Sequence, residues 1–283
     1  MKAAGLALAA VLALPAAAQE AEPPPIVVEG EKRQTEEALT DLARDLAGNP
    51  RADRPLARFE KPLCLMVAAE NAELGREIAA RIIDNAKAAK VRVRGSGCSP
   101  NALVTFSDDA HSQLREIRKS GRRLFAGLSA RELDEALDAR DPVYVFQTST
   151  TTAASGQALL RPQPDVAPVN KVFAMGRLSR LTREDMLAAL VVIDNGAVAG
   201  LGPLQIADYA SLRLLAPTGE VDAREAGGPR TIMTLFADPD SAPAAMTRFD
   251  RAYLAALYRM PPGSFSKEVL RAAVLDAEAK DEG

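Results

Sequence analysis

The first eighteen residues constrain this chain more than any other segment. Lys2 is followed by an uncharged apolar run from Ala3 to Leu14, which Pro15 ends. Ala16-Ala17-Ala18 then offers small side chains at the positions that a signal peptidase reads. A membrane-spanning helix needs roughly 20 apolar residues, and this run is shorter. We therefore predict that residues 1–18 are a signal peptide, cleaved before Gln19, and that the rest folds in the periplasm or outside the cell.

The composition of the full chain is that of an ordinary globular protein. Hydrophobic residues make up 47% and charged residues 26%, with a net charge of −3 that becomes −4 when Lys2 is removed with the signal peptide. Charges interrupt every later apolar stretch, so we predict no integral membrane segment after cleavage. This charge balance provides no basic field for nucleic acid or an anionic membrane. The local basic clusters at Arg92-Val93-Arg94 and Arg115 to Arg123 are interpreted as solvated surface.

The two cysteines, Cys64 and Cys98, are expected to form a disulfide. An even count in an oxidising compartment favours pairing. Cys64 lies in one predicted strand and Cys98 just before another, so neighbouring strands would bring the two sulfurs together. The alternatives are two free thiols or a catalytic thiol.

Residues 19–33 are rich in Pro and Glu and are predicted to be a disordered tail. Within them, residues 23–30 read Pro-Pro-Pro-Ile-Val-Val-Glu-Gly, and a stiff extended segment of this kind can add to the edge of another protein's sheet. This stretch resembles the Ile-Val-Val-x-Gly segment near the mature N-termini of secreted and outer-membrane proteins of sphingomonad-like bacteria. The tail is therefore either a plain linker or a docking peptide for an envelope protein.

The alternation of apolar runs and amphipathic segments predicts an α+β fold. Residues 34–57 are predicted to be a helix and a linker, and residues 58–283 a single globular domain. Strands alternate with helices in the first half, and the second half is mainly helical with C-terminal helices. The predicted strands are Lys61–Ala68, Ala102–Phe106, Pro142–Gln147, Val172–Leu178 and Leu187–Ile193. Residues 148–168 are predicted to be a long loop or an irregular hairpin.

Several enzyme classes lack their residues in this sequence. His111 is the sole histidine, so zinc sites built from two or three histidines are excluded, and we predict neither a metal site nor a cofactor. A catalytic triad would have to use His111. His111 follows Asp108 and Asp109 on a polar predicted helix, which favours an ordinary surface histidine. Phosphate-loop, dinucleotide-binding and nucleophile-elbow motifs are absent.

One internal segment gathers polar residues at helical spacing. Gln205, Tyr209 and Arg213 lie at i, i+4 and i+8, and Asp208 lies beside them. Together they form a candidate ligand-binding face, on which Arg213 would grip a carboxylate or phosphate. The alternative is a half-buried helix in which Arg213 pairs internally and Tyr209 packs.

The order of segments around this helix resembles a known layout. The Gln-x-x-Asp-Tyr-x-x-x-Arg helix is followed by Thr231–Phe236 and then by the Thr-x-x-Asp helix of Thr247–Tyr258. Over roughly residues 187–259 this is similar to uncharacterised secreted proteins of sphingomonad-like bacteria. It also resembles secreted zincin-like proteins, in which the corresponding helix carries His and Glu. Those residues are absent here, so the resemblance implies a degenerate relative without the metal chemistry.

Two functions follow as hypotheses. The first is an exported, non-catalytic binding or interaction protein of the periplasm or cell envelope. The second is a metal-independent hydrolase that uses carboxylate, Tyr and Arg side chains.

Overall fold

The fold is described from a computed structural model. The compact unit spans Gln34–Gly283, and the structure describes residues 36–120, 130–160, 181–221 and 229–279. The predicted signal peptide, the tail of residues 19–33 and the predicted strand Val172–Leu178 lie outside the described residues. No helix among those described is long and apolar enough to cross a membrane.

A mixed sheet of four strands organises the compact unit. Its strand order is β1-β2-β4-β3, and β1, β2 and β4 run parallel while β3 is antiparallel to β4. The strands β1 and β2 are joined through a helix, as parallel neighbours require. The strands are β1 (Leu65–Ala68), β2 (Ala102–Ser107), β3 (Val143–Ala153) and β4 (Thr182–Asp194).

The helices cover both faces of this sheet, which confirms the α+β class. Their bounds are α1 (Glu36–Leu46), α2 (Ala72–Ala88), α3 (Ala110–Lys119), α4 (Ala130–Ala136), α5 (Pro203–Leu215), α6 (Arg248–Arg259) and α7 (Ser266–Glu278). The larger core lies between α1, α2, α5, α6, α7 and one face, where the strands contribute Val104, Val191 and Ile193. A smaller core packs α3 against Tyr144, Phe146 and Leu190 on the other face.

The first helix belongs to this core rather than to a separate segment. Leu39, Leu42 and Leu46 of α1 are buried in the larger core, as their predicted helical stripe requires. Gly48 has a φ of +73° and approaches Gly219 so closely that a Cβ on Gly219 would lie 2.6 Å from the Gly48 Cα. Helix α1 therefore packs in the same core as the strands and helices of residues 58–283.

The disulfide confirms the pairing predicted for the two cysteines. Cys64 and Cys98 are bonded, with their Cα atoms 6.1 Å apart. Cys64 immediately precedes β1, and Leu65 pairs with Ala102 at the start of β2. The bridge therefore fastens the loop before β2 to the start of β1. Cys64 falls within the predicted strand Lys61–Ala68, but the observed strand β1 begins one residue later, at Leu65.

The hairpin of β3 and β4 is longer than the sequence suggested. Residues 148–168 are predicted to be a long loop or an irregular hairpin, and as far as Ala153, which lies opposite Thr182, the structure has the hairpin. A register shift at Thr148/Ser149 lets the strand bend and still pair. Thr and Ser provide no alternating apolar pattern, and for this reason the sequence does not distinguish the hairpin from a loop.

Candidate functional site

The helix that carries the predicted site is the most deeply buried helix segment of the larger core. Pro203 begins α5, where its missing N–H costs no hydrogen bond, and Gln205 Oε1 accepts from the Gly202 N–H at 3.1 Å. Every residue from Ile206 to Leu215 is buried. A helix buried on all sides has no solvent face, so its polar side chains must find protein partners.

Asp208 points towards α2 and is completely buried. Its carboxylate accepts two hydrogen bonds from Arg81, at 2.6 and 3.0 Å, and one each from Asn85 Nδ2 and the Met246 N–H, both at 2.7 Å. Burial opposes ionisation, but these donors outweigh it, so the pKa of Asp208 lies below its usual value. Asp208 therefore holds α2, α5 and the start of α6 together as an anion.

Tyr209 and Arg213 form a second, separate cluster. The guanidinium of Arg213 lies 5.2 Å from the centroid of the Tyr209 ring, and its Nε donates to Tyr209 Oη at 2.9 Å. Phe236 meets the same ring edge to face at 4.8 Å. Burial raises the pKa of the Tyr209 phenol, which keeps it a neutral hydrogen-bonding group.

The remaining donors of Arg213 bind the segment that follows α5. Nη1 donates to the Gly219 carbonyl at 3.2 Å, and Nη2 contacts Glu220 Oε1 at 2.8 Å. The Arg213 side chain is only 4% exposed, whereas that of Glu220 is 88% exposed. The arginine is thus enclosed by the protein, and its charge is met by one carboxylate at the surface.

Side chains from other elements complete this end of α5. A helix leaves its last carbonyls without intrahelical partners, and here three residues that sequence reasoning missed donate to them and to the chain just beyond. Gln147 Nε2 donates to the carbonyls of Arg213 (2.6 Å) and Ala216 (2.7 Å), Tyr258 Oη to Leu215 (2.7 Å) and Tyr253 Oη to Pro217 (2.8 Å).

The four predicted site residues therefore divide into three groups. Tyr209 and Arg213 are brought together, while Asp208 faces α2 and Gln205 Nε2 donates to the Pro243 carbonyl at 3.1 Å. Each side chain is bonded to protein groups. The prediction that they bind a ligand stays a prediction, and the geometry matches the structural alternative in which Arg213 pairs internally.

A buried acid lies on α6, in the Thr-x-x-Asp segment. Asp250 is fully buried and accepts hydrogen bonds from Thr231 Oγ1 (2.5 Å) and from the N–H groups of Ile232 (2.9 Å) and Thr247 (2.8 Å). Burial raises the pKa of Asp250. The arrangement caps α6 and ties it to the preceding 3₁₀ turn, so its contacts are structural.

An ion-pair cluster links the far end of the β3–β4 hairpin to α6. Glu60 contacts Arg58 Nε at 2.6 Å and Arg183 Nη1 at 3.7 Å, and Arg183 Nε lies 2.8 Å from Asp185 Oδ1. Arg58 Nη1 also donates to the carbonyls of Leu257 (2.6 Å) and Met260 (2.7 Å) at the end of α6. Two cations thus balance two carboxylates.

His111 is buried, contrary to the surface position predicted for it. Its residue is 8% exposed, and Nε2 lies 3.1 Å from the Leu137 carbonyl. Nδ1 has no hydrogen-bond partner among the described residues. The polar neighbours in sequence suggested a solvated side chain, but α3 turns this position towards Tyr144 and the smaller core.

Within the described ranges, no group of three or more His, Cys, Asp or Glu side chains is arranged to hold a metal ion. Comparisons with protein-family models, with curated proteins and with solved structures found no match to this chain. The resemblance to secreted zincin-like proteins accordingly stays a prediction.

Proposed function

We propose that this protein is an exported, non-catalytic interaction protein of the periplasm or cell envelope. The observation that carries the proposal is that the polar side chains on α5 form their hydrogen bonds within the protein. Asp208 accepts from Arg81 and Asn85, and Arg213 donates to Tyr209 and to a backbone carbonyl. Side chains in such contacts serve the fold, because moving them to a substrate would leave buried charges unpaired.

Export is supported by two independent features. The N-terminal segment has the charge, apolar run and small residues of a signal peptide. The bond between Cys64 and Cys98 is typical of proteins that fold in an oxidising compartment. Neither feature depends on the contacts of α5.

The hydrolase alternative makes a different demand on the same residues. It requires Tyr209, Asp208 or Arg213 to leave its present hydrogen bonds and to contact a substrate. The phenol of Tyr209 already accepts from Arg213, and the carboxylate of Asp208 accepts four hydrogen bonds. We therefore prefer the interaction hypothesis.

The candidate contact segment is the Ile26-Val27-Val28 stretch of the tail. The test is capture from detergent-solubilised envelope extract by the chain starting at Gln19, followed by identification of the captured protein and reconstitution with that protein in purified form. We expect a captured protein that binds the intact chain and is lost with I26S/V27S/V28S.

A matched triple change at polar tail residues, E20S/E22S/E31S, is the control and should retain the partner. Equal capture by both triple variants would contradict a role for the apolar stretch. Hydrolytic turnover that is lost in Tyr209→Phe, with unchanged thermal stability, would instead support the enzyme hypothesis.

A further inference from the structure

The sheet ends beyond β1 in a group of exposed cations, which we call the cationic edge: Lys61, Lys90, Arg92 and Arg94. Val93 pairs in parallel with Leu63, through the Leu63 N–H to the Arg92 carbonyl and the Arg94 N–H to the Leu63 carbonyl, both 2.8 Å. Residues two apart on an extended segment share a side. Arg92 and Arg94 therefore project together while Val93 packs against the core.

The side chain of Arg92 brings this group closer to Lys61. Its Nη2 donates to the backbone carbonyl of Glu60, so the guanidinium lies beside the peptide bond that leads into Lys61. Cations from two separate chain segments are consequently neighbours on one surface.

The charge of the cationic edge is not neutralised by the carboxylate that precedes it in sequence. Glu60 adjoins Lys61, but its two carboxylate oxygens contact Arg58 and Arg183. Among the described residues, no carboxylate forms an ion pair with Lys61, Lys90 or Arg94. The net charge of −3 provides no basic field over the whole chain, but this edge carries four cations for which the described part of the chain supplies no ion-paired carboxylate.

The backbone beneath these cations is held in place. The disulfide of Cys64 and Cys98 closes the adjoining loop, and Asn101 Oδ1 accepts from the Cys64 N–H at 2.7 Å while Asn101 Nδ2 donates to the Pro62 carbonyl at 3.2 Å. A fixed backbone spaces the cations before any partner arrives, which lowers the entropic cost of binding.

We propose that the cationic edge binds a surface of phosphate-bearing lipid headgroups. Guanidinium groups bind phosphate oxygens bidentately, and lysine adds point charge. The four cations are exposed and belong to two chain segments along a strand edge, and a headgroup surface presents many phosphates to such a row, whereas a free phosphate presents one. The same charges also protect the sheet edge from pairing with another strand, and the two roles are compatible. This extends the proposed envelope function, and its failure would leave capture by the tail unaffected.

The test is co-sedimentation of the disulfide-bonded chain starting at Gln19 with vesicles of equal parts phosphatidylglycerol and phosphatidylcholine, and with pure phosphatidylcholine. We expect binding to the first alone, weakened by salt. The double variant R92Q/R94Q should lower the partition coefficient about 30-fold, because each cation near an anionic surface contributes about fivefold. K61Q/R94Q keeps the Arg92 hydrogen bond and should show the same loss.

The control is R248Q/R271Q, which removes two exposed arginines elsewhere and changes net charge equally. It should bind with at most a small loss. Absence of binding to the anionic vesicles, or equal losses in all three double variants, would overturn the proposal. Displacement of the vesicles by low millimolar inorganic phosphate would identify a free anion as the ligand, and tighter binding to a short oligonucleotide would identify a nucleic acid. Either result would also overturn it.

Discussion

The Nε of Arg213 donates to the phenol oxygen of Tyr209 at 2.9 Å, one helical turn away on α5. The same guanidinium reaches past the end of the helix to Gly219, whose N–H donates to the Leu46 carbonyl of α1. This arginine therefore connects α5 to the segment that follows it, and through that segment to α1. Its position explains why a polar, charged residue lies in the larger core.

Replacing Arg213 by Ala should destabilise the protein strongly. The change removes the donors to the buried Tyr209 oxygen and to the half-buried Gly219 carbonyl, which costs about 3 kcal/mol. Tyr209→Phe removes one hydrogen bond and keeps the ring packing, so it should cost about 1 kcal/mol. Urea unfolding measures both. Glu220→Gln is the control, since its exposed carboxylate should contribute little; an effect as large as that of Arg213→Ala would contradict this interpretation.

Acid should weaken the contact between α2 and α5 through Asp208. The pKa of Asp208 is lower in the folded protein than its ordinary value of 3.8. Its stabilisation is therefore present above about pH 4 and is lost as the pH falls through the folded value. The free energy of unfolding of the wild type should drop as the pH is lowered below about 4, while Asp208→Asn should start about 3 kcal/mol lower and vary less. Asp41→Asn, at an exposed carboxylate, should follow the wild type. Parallel curves for wild type and Asp208→Asn would rule out this role.

The disulfide should contribute substantially to thermal stability. Cys64 and Cys98 are 34 residues apart, and closing a loop of that length stabilises a fold by roughly 3–4 kcal/mol in the chain-entropy model. Cys98→Ser should therefore lower the melting temperature by about 10 °C for a domain of this size. Scanning calorimetry measures the change, with Ser99→Ala as the matched control. Alkylation of both thiols without reductant, in protein from its native compartment, would refute the pairing.

Processing of the N-terminus is open to direct measurement. The order of Lys2, the apolar run and Ala16-Ala17-Ala18 predicts cleavage before Gln19. Mass spectrometry of the exported protein should find Gln19 at the N-terminus, free or cyclised to pyroglutamate. Retention of Lys2 in the exported form would contradict the predicted location.

The sequence predicted the elements whose patterns are local. The stripe of Leu39, Leu42 and Leu46 indicated α1, and the alternation of short apolar runs with amphipathic helices indicated an α+β sheet with Cys64 near Cys98. It left residues 148–168 open between a loop and an irregular hairpin, because a Thr-rich strand has no apolar alternation. Its pairing with β4 depends on residues about 30 positions away along the chain.

The hydrogen-bond partners of the polar residues on α5 could not be predicted from the sequence. The i, i+4 and i+8 spacing placed Gln205, Tyr209 and Arg213 on one face, and it could not say what that face meets. Partners such as Asn85 and Gln147 come from distant elements. The predicted exposure of His111 was wrong for the same reason, since its polar neighbours in sequence do not show that it packs against Tyr144 of β3. Burial is a property of the tertiary structure, and one amphipathic pattern fits both a site and a core contact.

The structural role of Tyr209 and Arg213 is tested most directly by measuring stability and partner binding on the same variants. Tyr209→Phe and Arg213→Lys would be measured by thermal unfolding, and by affinity for the captured envelope protein at a temperature where every variant is folded. We predict lower melting temperatures with affinity unchanged, because these side chains support the core. Unchanged melting temperatures with binding lost would show that α5 carries the functional site, and would contradict the conclusion that these side chains only stabilise the core.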